Sequence, residues 1–133
     1  REKIMAYKIL IVDDDKDIVE VLKNRLVKEG YEAVTAHDGE EALQKVKEEN
    51  PDIVVLDLMM PKRNGFEVLK EIREKCKDKW RPVIIVSAQD ELASLEKCYS
   101  MEADHYLTKP CDMQTVLRGI RTMISLIPAR IQK

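Results

Sequence analysis

The chain has 133 residues, 44% hydrophobic and 36% charged, with a formal net charge of −2. That length suits one domain with a sizeable buried core and leaves no room for a second. The near-neutral balance offers no basic surface for nucleic acid or for an anionic membrane, and no apolar run approaches the roughly 20 residues that cross a bilayer. Arg1-Glu2-Lys3 leads into a short apolar strand, not a signal peptide. The 3 cysteines, Cys76, Cys98 and Cys111, are widely spaced and odd in number. Lacking a C-x-x-C pair, they suggest neither a zinc site nor a disulfide framework. They read as small buried hydrophobes of a reducing cytoplasm.

Residues 1–6 form a lead-in. The run Ile9-Leu10-Ile11-Val12 then predicts a strand buried on both faces. Ile18, Val21, Leu22 and Leu26 recur at helical spacing, and Gly30 supplies a stop. A weaker strand spans Ala33 to Ala36. Ala42, Leu43 and Val46 form the next helical stripe, ended by Asn50-Pro51. Ile53-Val54-Val55-Leu56 is a second central strand, followed by a helix with Phe66, Leu69, Ile72 and Cys76. Val83-Ile84-Ile85-Val86 is a third central strand, closed by Ser87. The helix with Leu92, Leu95 and Tyr99 has the thinnest apolar face. A last edge strand runs from His105 to Thr108. Val116, Leu117, Ile120, Met123, Ile124 and Ile127 mark the clearest helix, stopped by Pro128. Residues 7–127 are therefore one domain, and 128–133 a tail or the start of a linker.

Five βα units in series predict an α/β fold: a doubly wound, five-stranded parallel sheet with helices on both faces. In such sheets the site lies beyond the carboxyl ends of the strands. The places to look are the residues just after Val12, Leu56, Val86 and Leu107.

Those positions hold Asp13, Asp14 and Asp15, then Asp57, then Ser87, then Lys109-Pro110. Crowding the carboxylates of Asp13, Asp14 and Asp57 into one cleft raises their pKa values and opposes folding unless positive charge offsets them. A hard divalent cation with oxygen ligands does so, and Mg²⁺ suits a site that recruits a phosphate oxygen. Lys109 adds a flexible point charge, and Ser87 a hydroxyl. An anionic nucleophile, a metal, an ammonium and a hydroxyl are what phosphoryl transfer needs. Each residue alone has a plainer role. Asp15 is as well placed to cap a helix as to bind anything. Ser87 could be a turn hydroxyl, Lys109 a solvated lysine, Met59 and Met60 core residues, and Tyr106 edge-strand packing. The joint pattern across separate strand ends is what singles the set out.

Over about residues 7–127 the chain resembles a two-component response-regulator receiver domain of the chemotaxis-regulator-like fold. The matching stretches are Ile9 to Asp15, Val55 to Pro61 with Asn64-Gly65, Val86-Ser87-Ala88, and Tyr106 to Pro110. The resemblance implies the strand order 2-1-3-4-5. It implies a regulatory phosphoacceptor rather than an enzyme acting on other molecules. Asp57 would accept a phosphoryl group from a sensor histidine kinase or a phosphotransfer protein. Asp14 would bind Mg²⁺ directly and Asp13 largely through metal-bound water, with Asp57 and the backbone carbonyl of Met59 completing the protein ligands. Lys109 and Ser87 would bind the phosphoryl group, with small Ala88 leaving it room. Pro110 would follow a cis peptide. Met59 and Gln89 would flank the path of hydrolytic water. Ser87 and Tyr106 would switch the face of the fourth helix, fifth strand and fifth helix toward a downstream effector or output domain, Tyr106 by turning inward. No nucleic acid or membrane would be bound, and the domain would be a monomer or a weak phosphorylation-dependent dimer.

Three departures from the family pattern matter. Glu102 stands where glycine is common and would strain a left-handed helix cap, so a different helix end is expected. Cys111 stands where phenylalanine is common. His105, Thr115 and Gly119 replace the charges expected of one dimerisation mode. Two other readings compete. One is a receiver fold that binds partners unphosphorylated. The other is a haloacid-dehalogenase-like phosphatase, with Asp13 of Asp13-Asp14-Asp15 as nucleophile; there the acidic pair would come late, after the lysine.

Overall fold

The computed structural model describes residues 7–60, 64–75, 80–88 and 92–127, without the side chains of 75 and 92–94. Strands β1 (Lys8–Val12), β2 (Glu32–Ala36), β3 (Ile53–Leu56), β4 (Val83–Ser87) and β5 (His105–Thr108) alternate with helices α1 (Lys16–Lys28), α2 (Gly39–Glu49), α3 (Gly65–Lys70), α4 (Leu92–Ser100) and α5 (Met113–Ile124). The five strands are all parallel, in the order β2-β1-β3-β4-β5. The expected fold is the observed one, with the two weakly apolar strands at the edges.

Side chains alternate across a strand, so each apolar run feeds two cores. Leu10, Val12, Val54, Leu56, Val83 and Ile85 pack under α2, α3 and α4. Ile9, Ile11, Ile53, Val55 and Ile84 pack under α1 and α5, with Leu22, Leu26, Leu117 and Ile120. Double burial explains why the central strands are wholly apolar. No helix among the described residues is long and apolar enough to cross a membrane.

The helix starts follow from side-chain oxygens. Asp15, Asp38, Asn64 and Asp112 are N-caps, and Asn64 forms a reciprocal capping box with Glu67. Each such cap is worth about 1 kcal/mol. Asp15 is thus a cap, accepting the N–H groups of Asp17 and Ile18. Gly30 ends α1 at φ +97°, with Tyr31 N–H donating to the Leu26 carbonyl.

Several details differ from expectation. On α1 the buried stripe is Val19, Leu22 and Leu26, while Ile18 and Val21 are 41% and 62% exposed. On α4 it is Cys98 that is fully buried, and Tyr99 faces out. Cys111 is half-buried and packs at the edge of the α1/α5 core. Cys76, Pro128 and Gln89 lie outside the described residues. Helix α3 does not continue as one α-helix but passes into a π-helical turn over Glu71–Lys75. Gly119 is buried against β5, where an added Cβ would stand 3.3 Å from the His105 ring. It lets α5 lie close to the edge strand.

The largest correction concerns Glu102. It adopts φ +69° despite its side chain. Its N–H donates to the Tyr99 carbonyl and that of Ala103 to the Cys98 carbonyl, the left-handed helix ending that glycine usually makes. Arg73, buried in the π-helical turn, holds the corner. Its Nε donates to the Glu102 carbonyl at 3.0 Å, and its guanidinium meets the Asp104 carboxylate at 2.9 Å. That carboxylate also accepts the Val83 N–H. A buried ion pair with these extra bonds overrides the local preference of one residue. Replacing Glu102 by glycine should therefore raise stability by about 1 kcal/mol, read from denaturant midpoints.

Candidate functional site

At the carboxyl edge of the sheet, β1 and β3 are neighbours, and β4 and β5 follow. The turn after β1 presents Asp13 and Asp14, and the end of β3 presents Asp57. One carboxylate oxygen from each of the three lies within 4.8 Å of the others. Asp13 and Asp57 are buried, and Asp14 is exposed. Lys109, just past β5, reaches back across the sheet edge. Its Nζ lies 2.8 Å from Asp13 Oδ2 and 3.6 Å from Asp57 Oδ2.

The electrostatics are those of an anion-crowded cleft. Burial, and then the charge of Asp13, push the Asp57 carboxyl up to about 6; Lys109 and the Met59 N–H act in the opposite direction. Burial alone would pull the Lys109 ammonium down. Its hydrogen bond to Asp13 and the charges of Asp57 and Asp13 outweigh that, and it lies above the ordinary lysine value. A carboxyl that resists ionisation beside two further carboxylates is a place where a cation is favoured. The donor set is all hard oxygen, which fits Mg²⁺ and excludes a soft metal.

The remaining expected residues lie around this centre. The Met59 side chain is exposed at the rim and its N–H donates to Asp57 Oδ1 at 3.3 Å. Ser87 is fully buried at the end of β4, and its carbonyl accepts the Lys109 N–H. Ala88 lines the cavity beside Asp57 and Lys109. The Lys109–Pro110 peptide is cis. Tyr106 is only 7% exposed, packed in the core under α4.

Two features escaped the sequence reading. Gly65 brings the start of α3 against the Asp57 loop: its N–H donates to the Leu58 carbonyl at 2.9 Å. His37, after β2, places its ring Nδ1 3.3 Å from the Asp13 carbonyl oxygen. The strand-end rule would have found His37 had it been applied to β2 too. Beside the acid cluster, a cavity of about 630 Å³ opens between α1 and α5, its walls including Ile18, Val21, Met113 and Val116.

A parallel doubly wound sheet with an acid cluster and a lysine at its carboxyl edge defines a class of regulatory α/β domains. The match is to the response regulator receiver domain, over residues 9–121, and the chain belongs to that family, the receiver domains of two-component signalling. The phosphatase reading is thereby set aside. Similar solved structures include a CheY-like receiver domain protein from Methanospirillum hungatei, 28% identical, TM-score 0.86, covering 91% of this chain and 95% of that one. The receiver domain of the Francisella response regulator 1452 is 33% identical, TM-score 0.83, covering 90% and 97%. A chain of the CheX–CheY–BeF3–Mg²⁺ complex from Borrelia burgdorferi is 36% identical, TM-score 0.82, covering 89% of each chain.

Proposed function

We propose that Asp57 is the phosphoacceptor of this receiver domain, taking a phosphoryl group from a phosphohistidine on a sensor histidine kinase or phosphotransfer protein. The observation that carries this reading is the convergence of Asp13, Asp14 and Lys109 on Asp57. A similar chain in the Borrelia complex occurs with Mg²⁺ and BeF3.

Asp13, Asp14, Asp57 and the Met59 carbonyl would hold Mg²⁺. When bound, the ion supplies positive charge against the carboxylates and the phosphoryl oxygens. An oxygen of the ionised Asp57 carboxylate attacks phosphorus in line, the phosphorus–nitrogen bond to the donor histidine breaks, and an acyl phosphate forms on Asp57. Lys109 is already ion-paired with the nucleophile and follows the charge onto the phosphoryl oxygens. Ser87 donates its hydroxyl to one of them, with Ala88 leaving space. The exposed apolar side chains of Ile18 and Val21 give the donor protein a surface beside the reacting atoms.

Phosphorylation raises the charge on Asp57 from about −1 to about −2. The response is a population shift on the face formed by α4, β5 and α5, centred on Ser87 and Tyr106, toward an effector or output domain. Tyr106 is only 7% exposed, so any movement of its ring with the shift repacks the core under α4.

Incubation with Mg²⁺ and acetyl phosphate, followed by mass spectrometry, tests the reading. Wild type gains one phosphoryl group, and Asp57→Asn gains none. No uptake by wild type would favour a receiver fold that binds partners unphosphorylated.

A further inference from the structure

His37 follows β2, the strand end from which the proposed chemistry takes no residue. Its place is fixed from two sides. The His37 backbone N–H donates to Glu41 Oε1 at 2.8 Å, and the Glu41 N–H donates in turn to Asp38 Oδ1 at 2.9 Å in the first turn of α2. The half-buried ring then reaches to the neighbouring strand end, where Nδ1 stands 3.3 Å from the Asp13 carbonyl oxygen. A carbonyl only accepts, so Nδ1 carries the proton and donates.

That carbonyl belongs to the peptide joining Asp13 to Asp14. A peptide unit is planar, so holding its oxygen restrains the dihedrals on both sides, and with them the direction in which Asp14 projects. Asp13 has other restraints. Its N–H donates to the Ala36 carbonyl, its Oδ1 accepts the Asp15 N–H, and its Oδ2 accepts Lys109. Asp14 differs: it is exposed, and its carboxylate has no hydrogen bond or ion pair among the described residues. With no side-chain partner to hold it, the backbone, which sets its Cα–Cβ direction, is the restraint on where it projects.

We infer that His37 is a positioning residue for the metal site: by donating to the Asp13 carbonyl it orients the Asp14 carboxylate toward the cation. This rests on the reading of Asp14 as a Mg²⁺ ligand. The role needs a donor at the Nδ1 position and not a ring. His37→Asn keeps that donor, since its amide nitrogen sits where Nδ1 did. His37→Phe keeps the bulk and loses the donor.

The test is calorimetric titration of Mg²⁺ into each protein at one pH and ionic strength, with no phosphodonor and with Asp14→Asn as the lower bound. The Mg²⁺ dependence of acetyl phosphate uptake is followed alongside. His37→Phe should bind Mg²⁺ about 3- to 10-fold more weakly, and His37→Asn should stay within about 2-fold of wild type. At saturating Mg²⁺ the uptake rates should converge. Equal affinity of wild type and His37→Phe, or equal losses in His37→Phe and His37→Asn, would overturn the inference alone. A wild type that takes up no Mg²⁺ would overturn the metal-site reading and this one together.

Discussion

Asp57→Asn should be more stable than wild type near neutral pH without divalent metal, by about 1–3 kcal/mol. Burial, and then Asp13, hold the folded Asp57 carboxyl at about 6, against an ordinary value of 3.8. Between these values the folded protein keeps a proton that the unfolded chain has released. The contribution of Asp57 to stability is therefore full below about pH 4 and is lost as pH rises through about 6. Above that window the ionised carboxylate opposes folding, and asparagine removes the charge while keeping the shape. Urea midpoints across this range give the check. The two proteins should coincide at the acid end and separate on the way to neutrality. Mg²⁺ should close the gap by stabilising wild type more. Equal midpoints at neutral pH, with and without metal, would show that the acid cluster is not strained.

Gly65→Ala should cost about 2–4 kcal/mol and reduce phosphoryl uptake even where the variant is folded. A Cβ at Gly65 would stand 2.5 Å from the Asp57 carbonyl oxygen and 2.7 Å from Leu58 Cα. Both are backbone atoms, so no side chain can rotate away, and either α3 or the Asp57 loop must move. Such a shift displaces the nucleophile as well as the helix. Thermal unfolding, together with acetyl phosphate uptake at a temperature where both proteins are folded, separates the two losses. An alanine variant with wild-type stability and uptake would rule out the close approach.

The central strands were legible because a parallel strand buried on both faces leaves little room for polar residues. Asp13 and Asp57 were legible for a related reason, since each directly follows such a run; Lys109 follows the weaker edge strand β5 and was legible only jointly with them. Helix faces were less so. On α1, apolar residues occupy 18, 19, 21 and 22, and spacing alone fits two stripes one residue apart. Only the packing of Val19 and Leu22 against the sheet decides between them. Cys98 and Tyr99 pose the same ambiguity on α4, resolved toward the smaller side chain. Glu102 was misjudged because local strain was weighed without Arg73, which lies 29 residues earlier in the chain. His37 directly follows β2 and was missed because the strand-end rule was not applied there; its contact, from a ring to a backbone carbonyl on the neighbouring strand end, leaves no further sequence signal.

The corner held by Arg73 and Asp104 sits at the amino ends of β4 and β5, opposite the acid cluster. It ties down the C-terminal end of α4, while the other end of that helix follows Ser87 and Ala88 in the chain. A rod pinned at one end moves as a lever. The 9 residues of α4 span about 13 Å, so a tilt of about 10° about that corner would carry its N-terminal end by about 2 Å. Under the proposed switch, a displacement on the scale of one hydrogen bond near Ser87 would therefore suffice to change the slope of α4.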